Sequence, residues 1–218
     1  MPLARHVVFD LDGVIVDSEP LHGRANGEYL ATLGAAVDRS LHDDMLGRRV
    51  RELTDAIAER LGRPPDEVFA AREAIFWRLL ETDGIQPMPG LHRAITRLSG
   101  AGLPLAVATS GTRGYVEHVL RRLGVRDAFK AVVSGEDVVH GKPDPETYLH
   151  AAAVLGADPA DCVAIEDTLH GVTAARGAGM RALAVPNALT AGMDFRAADA
   201  VLPDLAAAAE YVLAPSSQ

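Results

Sequence analysis

Short apolar segments recur along this chain and alternate with stretches long enough to form helices. This alternation constrains the fold more than any other feature. The segments, each ending at polar or glycine-containing sequence, are Val7–Phe9, Leu105–Ala108, Ala131–Val133, Cys162–Ile165, Ala182–Val185 and Ala200–Leu202. Strands of a parallel sheet between two layers of helices are apolar throughout because neither face meets water. The pattern therefore predicts an α/β fold with a doubly wound, Rossmann-like parallel sheet.

One interval in the alternation is too long for a single helix. Asp10 and Thr109, which follow the first two predicted strands, are about 100 residues apart, whereas a strand-helix-strand unit takes roughly 30 residues. Residues 17–85 have a helical pattern, and the segment 83–90, with two prolines and two glycines, suits a hinge. We therefore predict an inserted α-helical cap domain at residues 17–85 and a Rossmann-like core made of residues 1–16 and 86–218.

The charge balance limits the possible partners of the protein, and the single cysteine bears on its cellular compartment. The 218 residues include 21 Lys and Arg against 30 Asp and Glu, giving a formal charge of −9 at pH 7. Such a chain has no broad electrostatic attraction for nucleic acid or for an anionic membrane. Cys162 cannot form an internal disulfide, and no long apolar segment or small-residue cleavage site marks a signal peptide. We therefore expect a cytoplasmic protein, monomeric, with neither nucleic-acid nor membrane partners.

Four strand ends carry residues suited to chemistry. Ligands of doubly wound sheets bind beyond the carboxyl ends of the strands. These positions hold Asp10-Leu-Asp12-Gly13, Thr109-Ser110-Gly111, Lys142-Pro143 and Glu166-Asp167. Alternation along an extended segment places Asp10 and Asp12 on one side, and Gly13 permits a sharp turn after them. The sequence thus predicts one crevice with several carboxylates.

Carboxylates gathered in one crevice repel one another unless a cation is present. Oxygen ligands suit a hard divalent ion, and Mg²⁺ is the usual choice when water and a phosphate oxygen complete the shell. The Thr109–Gly111 turn before a helix and the Lys142 ammonium can hold an anion. These groups meet the requirements of phosphoryl transfer. Because no Ser-His or Cys-His pairing is apparent, we expect a carboxylate nucleophile, either Asp10 or Asp12.

Four segments resemble, in order, the motifs of the haloacid dehalogenase-like phosphohydrolases. They are Phe9-Asp-Leu-Asp-Gly-Val-Ile-Val-Asp-Ser-Glu19, Ala108-Thr-Ser110, Gly141-Lys-Pro-Asp-Pro-Glu146 and Ile165-Glu-Asp-Thr168. The resemblance covers nearly the whole chain, and the predicted insertion stands where the helical-cap members of subfamily I carry theirs. It implies a Mg²⁺-dependent phosphoric monoester hydrolase acting on a small-molecule phosphate ester through an aspartyl phosphate.

The resemblance also implies roles for individual residues. Asp10 would be the nucleophile, and Asp12 the acid/base that protonates the leaving oxygen and then activates water. Mg²⁺ would be held by the Asp10 carboxylate, the Asp12 main-chain carbonyl and Asp167, with Glu166 near or in the coordination shell.

In the same resemblance, the phosphoryl group would be bound by Thr109, the Ser110 backbone amide and Lys142. On the cap, His22, Arg49 and Arg72 occupy positions where related phosphatases carry polar residues facing the substrate. A solvated helix face is the alternative for Arg49, which lies in a run of arginines.

Two further functions compete with the sugar-phosphate phosphatase. Hexose-phosphate mutases of the β-phosphoglucomutase type share all four motifs, but they usually carry threonine and alanine near Ser18 and Glu19. They also commonly have a serine-lysine pair where this chain has Gly111-Thr-Arg113. A phosphoaspartate signalling or binding module would use a similar aspartate, lysine and metal, but it has no use for an acid/base at Asp12. The phosphatase is therefore our leading hypothesis.

Overall fold

The computed structural model describes residues 4–34 and 50–215. The helices are α1 (Glu19–Thr32), α2 (Val50–Leu61), α3 (Pro65–Asp83), α4 (Leu91–Gly100), α5 (Arg113–Arg122), α6 (Glu146–Leu155), α7 (Leu169–Gly177) and α8 (Leu205–Leu213). The strands are β1 (His6–Phe9), β2 (Val16–Asp17), β3 (Gln86–Pro87), β4 (Leu105–Ala108), β5 (Phe129–Val133), β6 (Cys162–Glu166), β7 (Arg181–Ala184) and β8 (Ala200–Val201).

Six of the strands form one parallel sheet in the order β5-β4-β1-β6-β7-β8. Each of the six predicted apolar segments overlaps one of these strands. Phe9 at the end of β1 stands beside Val107 of β4 and Ile165 of β6. The chain segments that follow β1, β4 and β6 therefore leave the same edge of the sheet side by side. The prediction of an α/β, Rossmann-like parallel sheet is confirmed.

Alternate residues of the sheet pack into two hydrophobic layers. In β1, Val7 and Phe9 join a cluster with α4, α5 and α8, whereas Val8 joins a second cluster with α6 and α7. All three side chains are fully buried. Burial on both faces is the reason that the strands are apolar without alternation.

The helices α1, α2 and α3 follow β1 and form what we call the helical insertion, residues 18–34 and 50–85. A small cluster that includes Tyr29, Leu53, Ile57 and Val68 lies among these helices. The two chain connections to the sheet run as a short antiparallel ribbon in which β2 pairs with β3. The sequence did not predict these two-residue strands, because two residues carry no periodicity. The predicted boundaries at residues 16–17 and 85–86 fall at this ribbon.

Two helices begin just beyond motif residues. The cap position of α6 is Pro145, and Asp144 accepts a hydrogen bond from the Glu146 amide at 2.9 Å. Helix α5 begins at Arg113 with Thr112 as its cap, so the Thr109–Gly111 turn lies just before it. Among the described residues, no helix combines the length and apolar character that crossing a bilayer requires.

Candidate active site

A cavity of about 320 Å³ lies between the carboxyl edge of the sheet and the helical insertion. The residues after β1 form part of its wall. The Asp10 amide donates to the Ile165 carbonyl at 3.0 Å, which extends the strand ladder by one residue. The chain then turns at Gly13, whose φ of 80° is easily reached only by glycine. Asp10 and Asp12 both line the cavity, as alternation predicts.

Lys142 is the centre of a buried ionic group. Its Nζ atom lies 2.5 Å from Asp10 Oδ1 and 2.5 Å from Glu166 Oε1, and it also donates to the Ala108 carbonyl at 3.1 Å. Burial alone would lower the pKa of Lys142, but the charges of Asp10 and Glu166 outweigh burial and raise it. Lys142 is therefore a cation held beside Asp10.

Glu166 is a fully buried side chain with both oxygens engaged. Oε1 accepts hydrogen bonds from Lys142 and from the Tyr148 hydroxyl, the latter at 2.6 Å. Oε2 accepts from the amides of Asp167 and Thr168 at 3.1 and 3.4 Å. This arrangement holds Lys142 against Asp10, and it leaves Glu166 less suited to bind a metal directly than Asp167.

Asp167 has the strongest features of a metal ligand. Its Oδ2 atom accepts from Asn187 Nδ2 at 2.8 Å, but its Oδ1 atom is buried with no hydrogen-bond partner among the described residues. A Cβ atom on Gly13 would lie 2.1 Å from Oδ2, so only a glycine fits there. One carboxylate oxygen from each of Asp10, Glu166 and Asp167 lies within 4.8 Å of the other two. A buried oxygen without a partner beside two further carboxylates fits a divalent cation.

Burial also governs the proton affinity of this group. Burial, followed by the charge of Glu166, raises the pKa of Asp167 well above its usual range. Burial raises the pKa of Asp10 as well, although Lys142 opposes the rise. A cation would stabilise both carboxylates in their charged form.

Asp12 has a different set of neighbours. The Tyr115 hydroxyl donates to Asp12 Oδ1 at 2.7 Å. Burial raises the pKa of Asp12, and the hydroxyl groups of Ser18 and Tyr115 oppose the rise. A carboxyl group with a raised pKa is suited to give up a proton and take it back.

The turn after β4 contains the residues that we predicted to bind an anion. The Thr109 amide donates to the Val133 carbonyl at 2.9 Å, and the Thr109 hydroxyl accepts from the Gly111 amide at 3.0 Å. Ser110 and Gly111 line the cavity, whereas Thr109 is fully buried. A further contact fixes this turn, since the Gly135 amide donates to the Gly111 carbonyl at 2.8 Å.

The helical insertion closes the opposite side of the cavity. Arg72, fully buried in α3, donates to Asn26 at 3.0 Å and to Glu73 at 2.7 Å, and its Nη2 lies 2.6 Å from His22 Nδ1. The His22 ring stacks on Phe76 with centroids 4.5 Å apart. His22 and Arg72 both line the cavity, and their role as substrate contacts stays a prediction. The third predicted cap residue, Arg49, lies outside the described residues.

Sequence reasoning missed three side chains of this site. Tyr115 and Tyr148 occupy buried faces of α5 and α6, so their spacing is that of ordinary core residues. Asn187 follows β7 in a segment without a recognised motif. The only signal was the general one that residues beyond strand ends meet at the ligand site.

Known proteins resemble this chain over most of its length. A family model for haloacid dehalogenase-like hydrolases matches residues 4–179. Hexitol phosphatase B of Escherichia coli strain K12 is 34% identical over 182 residues, 82% of this chain and 82% of that protein.

Solved structures agree with this family match. A mutant of CbbY from Rhodobacter sphaeroides, in complex with xylulose-(1,5)bisphosphate, is 31% identical, with a TM-score of 0.82 over 93% of this chain and 95% of that one. β-Phosphoglucomutase from Clostridium difficile has a TM-score of 0.80 over 93% of this chain and 92% of that one, and at 22% identity it shows the shared fold alone. The order of the four motifs and the family match lead to one conclusion: the chain belongs to the haloacid dehalogenase-like hydrolases.

Proposed function

We propose that this protein is a Mg²⁺-dependent phosphatase that hydrolyses small, sugar-like phosphate monoesters through an aspartyl phosphate on Asp10. The predicted enzyme class, a phosphoric monoester hydrolase, is confirmed by the family match and by relatives that are named phosphatases. The observation that supports an aspartyl phosphate is the environment of Asp10. This cavity-lining carboxylate has the Lys142 ammonium at 2.5 Å and a second carboxylate, Asp12, in the same cavity.

The reaction needs one nucleophile and one acid/base. In the first half, a carboxylate oxygen of Asp10 forms a bond to phosphorus while the ester P–O bond breaks, and the leaving oxygen takes a proton from Asp12. In the second half, water attacks phosphorus, Asp12 takes a proton from that water, and the bond from phosphorus to Asp10 breaks. Asp12 is thereby restored as an acid, and Asp10 as a carboxylate.

The remaining residues would bind the metal ion and the phosphoryl group. Asp10, the Asp12 main-chain carbonyl and Asp167 would hold Mg²⁺, which supplies positive charge next to the phosphoryl oxygens. Lys142 contributes a second positive charge, and the Ser110 amide contributes a donor. Glu166 acts by holding Lys142 in place.

The proposed substrate class rests on the cavity and on the relatives. A cavity of about 320 Å³ is at the small end of ligand sites, which suits a compact phosphate ester. Its insertion side offers polar groups on His22, Arg72 and Glu73. One relative is named a hexitol phosphatase, and a similar structure holds xylulose-(1,5)bisphosphate. We infer that the hydroxyl groups of a sugar or sugar alcohol face this side.

The proposal is tested by phosphate release from hexitol, hexose, pentose and triose phosphates, with and without Mg²⁺. We expect metal-dependent release, with a preference for sugar or sugar-alcohol esters. Asp10→Asn removes the nucleophile and should abolish release, and Asp12→Asn should lower it about 10²-fold or more. Folding of both variants is checked by their melting curves.

Three outcomes would contradict the proposal. Release that persists in Asp10→Asn would exclude the aspartyl phosphate. Conversion of a sugar 1-phosphate to its 6-phosphate without phosphate release would favour the mutase. A stable phosphoprotein without turnover would favour the signalling module.

A further inference from the structure

We propose that Tyr115 is a positioning residue for the acid/base: its hydroxyl fixes the Asp12 carboxyl so that Oδ2 is the oxygen that gives and takes the proton. The inference rests on the proposed function, because it assigns Asp12 its role there. It extends that proposal to a side chain outside the four motifs.

The contact between the two side chains is direct. Tyr115 donates its hydroxyl hydrogen to Asp12 Oδ1 at 2.7 Å. Both residues line the cavity, and only 5% of Tyr115 is exposed. A phenol hydroxyl has one hydrogen to donate, and here it is directed at Oδ1. This hydrogen bond fixes the orientation of the Asp12 carboxyl group and engages Oδ1, so Oδ2 is the oxygen that we assign to proton transfer.

The Tyr115 ring is held in place on several sides. Its backbone amide donates to the Thr112 side chain, which caps α5. A Cβ atom on Gly111 would lie 2.9 Å from the ring atom Cδ1, so the ring packs directly against the bare backbone of the phosphate-binding turn. On the other side the ring meets Phe76 of the helical insertion edge to face, with centroids 5.4 Å apart. The hydroxyl is thus presented to Asp12 from a rigid support.

The Tyr115 ring therefore connects Asp12 with two sides of the cavity, the Thr109–Gly111 turn and the helical insertion. The phosphate-binding turn lies beneath the ring, and Phe76 with its stacked neighbour His22 lies beside it. On the proposed function, the leaving oxygen of a bound ester would lie in this cavity, next to Asp12. We therefore expect Tyr115 to matter for proton delivery to that oxygen and little for the binding of the phosphoryl group.

Tyr115→Phe separates these two roles because it removes the hydroxyl and keeps the ring. The substrates are a sugar phosphate, whose alkoxide leaving group needs a proton, and a nitrophenyl phosphate, whose phenolate does not. The quantity compared is kcat/KM, which reports the steps up to phosphorylation of Asp10. Tyr29→Phe is the matched control, because the Tyr29 hydroxyl is buried in the insertion with no hydrogen-bond partner among the described residues.

We expect Tyr115→Phe to lower kcat/KM about tenfold for the sugar phosphate, part of the 10²–10⁴-fold that a positioned acid contributes, and to change the nitrophenyl ester little. Tyr29→Phe should leave both substrates unchanged. An equal loss for both substrates, or no loss, would overturn the role of Tyr115 while leaving the phosphatase intact. Failure of wild-type protein to hydrolyse either ester would instead contradict the proposed function itself.

Discussion

At the scale of single residues, the site is dominated by buried charges that depend on one another. Lys142 contacts both Asp10 and Glu166, and the exposed fraction of its side chain is only 1%. Removing one member of such a group leaves the others as uncompensated buried charges, which costs far more than losing a surface ion pair. Chemistry and stability are therefore coupled at Lys142.

Lys142→Met should lower the free energy of unfolding by about 3–5 kcal/mol at neutral pH, because Asp10 and Glu166 lose their shared cation. Urea unfolding measures this free energy, with exposed Lys130→Met as the matched control.

The deficit should also depend on pH. Burial raises the pKa of Asp10, and loss of Lys142 raises it further. An acid whose pKa is raised by folding gains stability as the pH falls. Asp10 in the variant takes up its proton at a higher pH than in the wild type, so the deficit should be largest at high pH and shrink as the pH falls towards about 8. A deficit equal to that of Lys130→Met would contradict this account.

At the scale of elements, the segment of residues 134–137 contacts the Thr109–Gly111 turn. Asp137 accepts from the Ser134 amide and hydroxyl, both at 2.7 Å, and also pairs with Arg113 at the start of α5. Burial alone would raise the pKa of Asp137, but these contacts lower it to about 2. The contacts of Asp137 with Ser134 and Arg113 hold residues 134–137 next to the start of α5 and the Thr109–Gly111 turn. A Cβ atom on Gly135 would lie 2.4 Å from the Ser110 carbonyl oxygen.

Gly135→Ala should therefore displace the Ser110 backbone. A displacement near 1 Å in a positioned group can cost about 10²-fold in rate, and we expect a loss of 10–100-fold in kcat/KM together with weaker inhibition by inorganic phosphate. Gly114→Ala is the matched control, because a Cβ atom there meets nothing within 4 Å. Equal kinetics for the two variants would show that the close approach of Gly135 is not needed.

The elements also show what sequence could predict. The six apolar segments identified the central strands because a strand that is covered by helices on both faces consists of consecutive apolar residues. The same reasoning located Asp10 directly after β1, whereas Lys142 lies nine residues beyond the end of β5. It missed Tyr115 and Asn187, because their roles depend on which side chains meet across the sheet edge, and spacing along the chain does not carry that information. His22 and Arg72 could be suggested only by resemblance, since a polar residue on a helix is equally consistent with a solvated face.

At the scale of the whole molecule, four carboxylates meet at the carboxyl edge of the sheet. Asp10, Asp12, Glu166 and Asp167 come from two neighbouring strand ends, and Lys142 is the cation that contacts two of them. Folding alone brings these carboxylates together, so the free energy of unfolding contains their repulsion. Any ion that binds the folded site and not the unfolded chain will raise that free energy.

Mg²⁺ should therefore raise the melting temperature of the protein. At a concentration 100 times the Kd the gain is about 2.7 kcal/mol, and a chain of this size gains roughly 2–4 °C per kcal/mol, giving a rise of about 5–10 °C. The measurement is a melting curve in MgCl₂ against NaCl of equal ionic strength. Asp167→Asn, which replaces the carboxylate whose Oδ1 has no hydrogen-bond partner among the described residues, should remove most of the rise.

The rise in melting temperature should also depend on pH. Because folding raises the pKa of Asp10 and Asp167, Mg²⁺ competes with protons for these carboxylates, and the rise should be larger at higher pH. An equal rise in NaCl, or in Asp167→Asn, would place the stabilising ion elsewhere on this acidic protein.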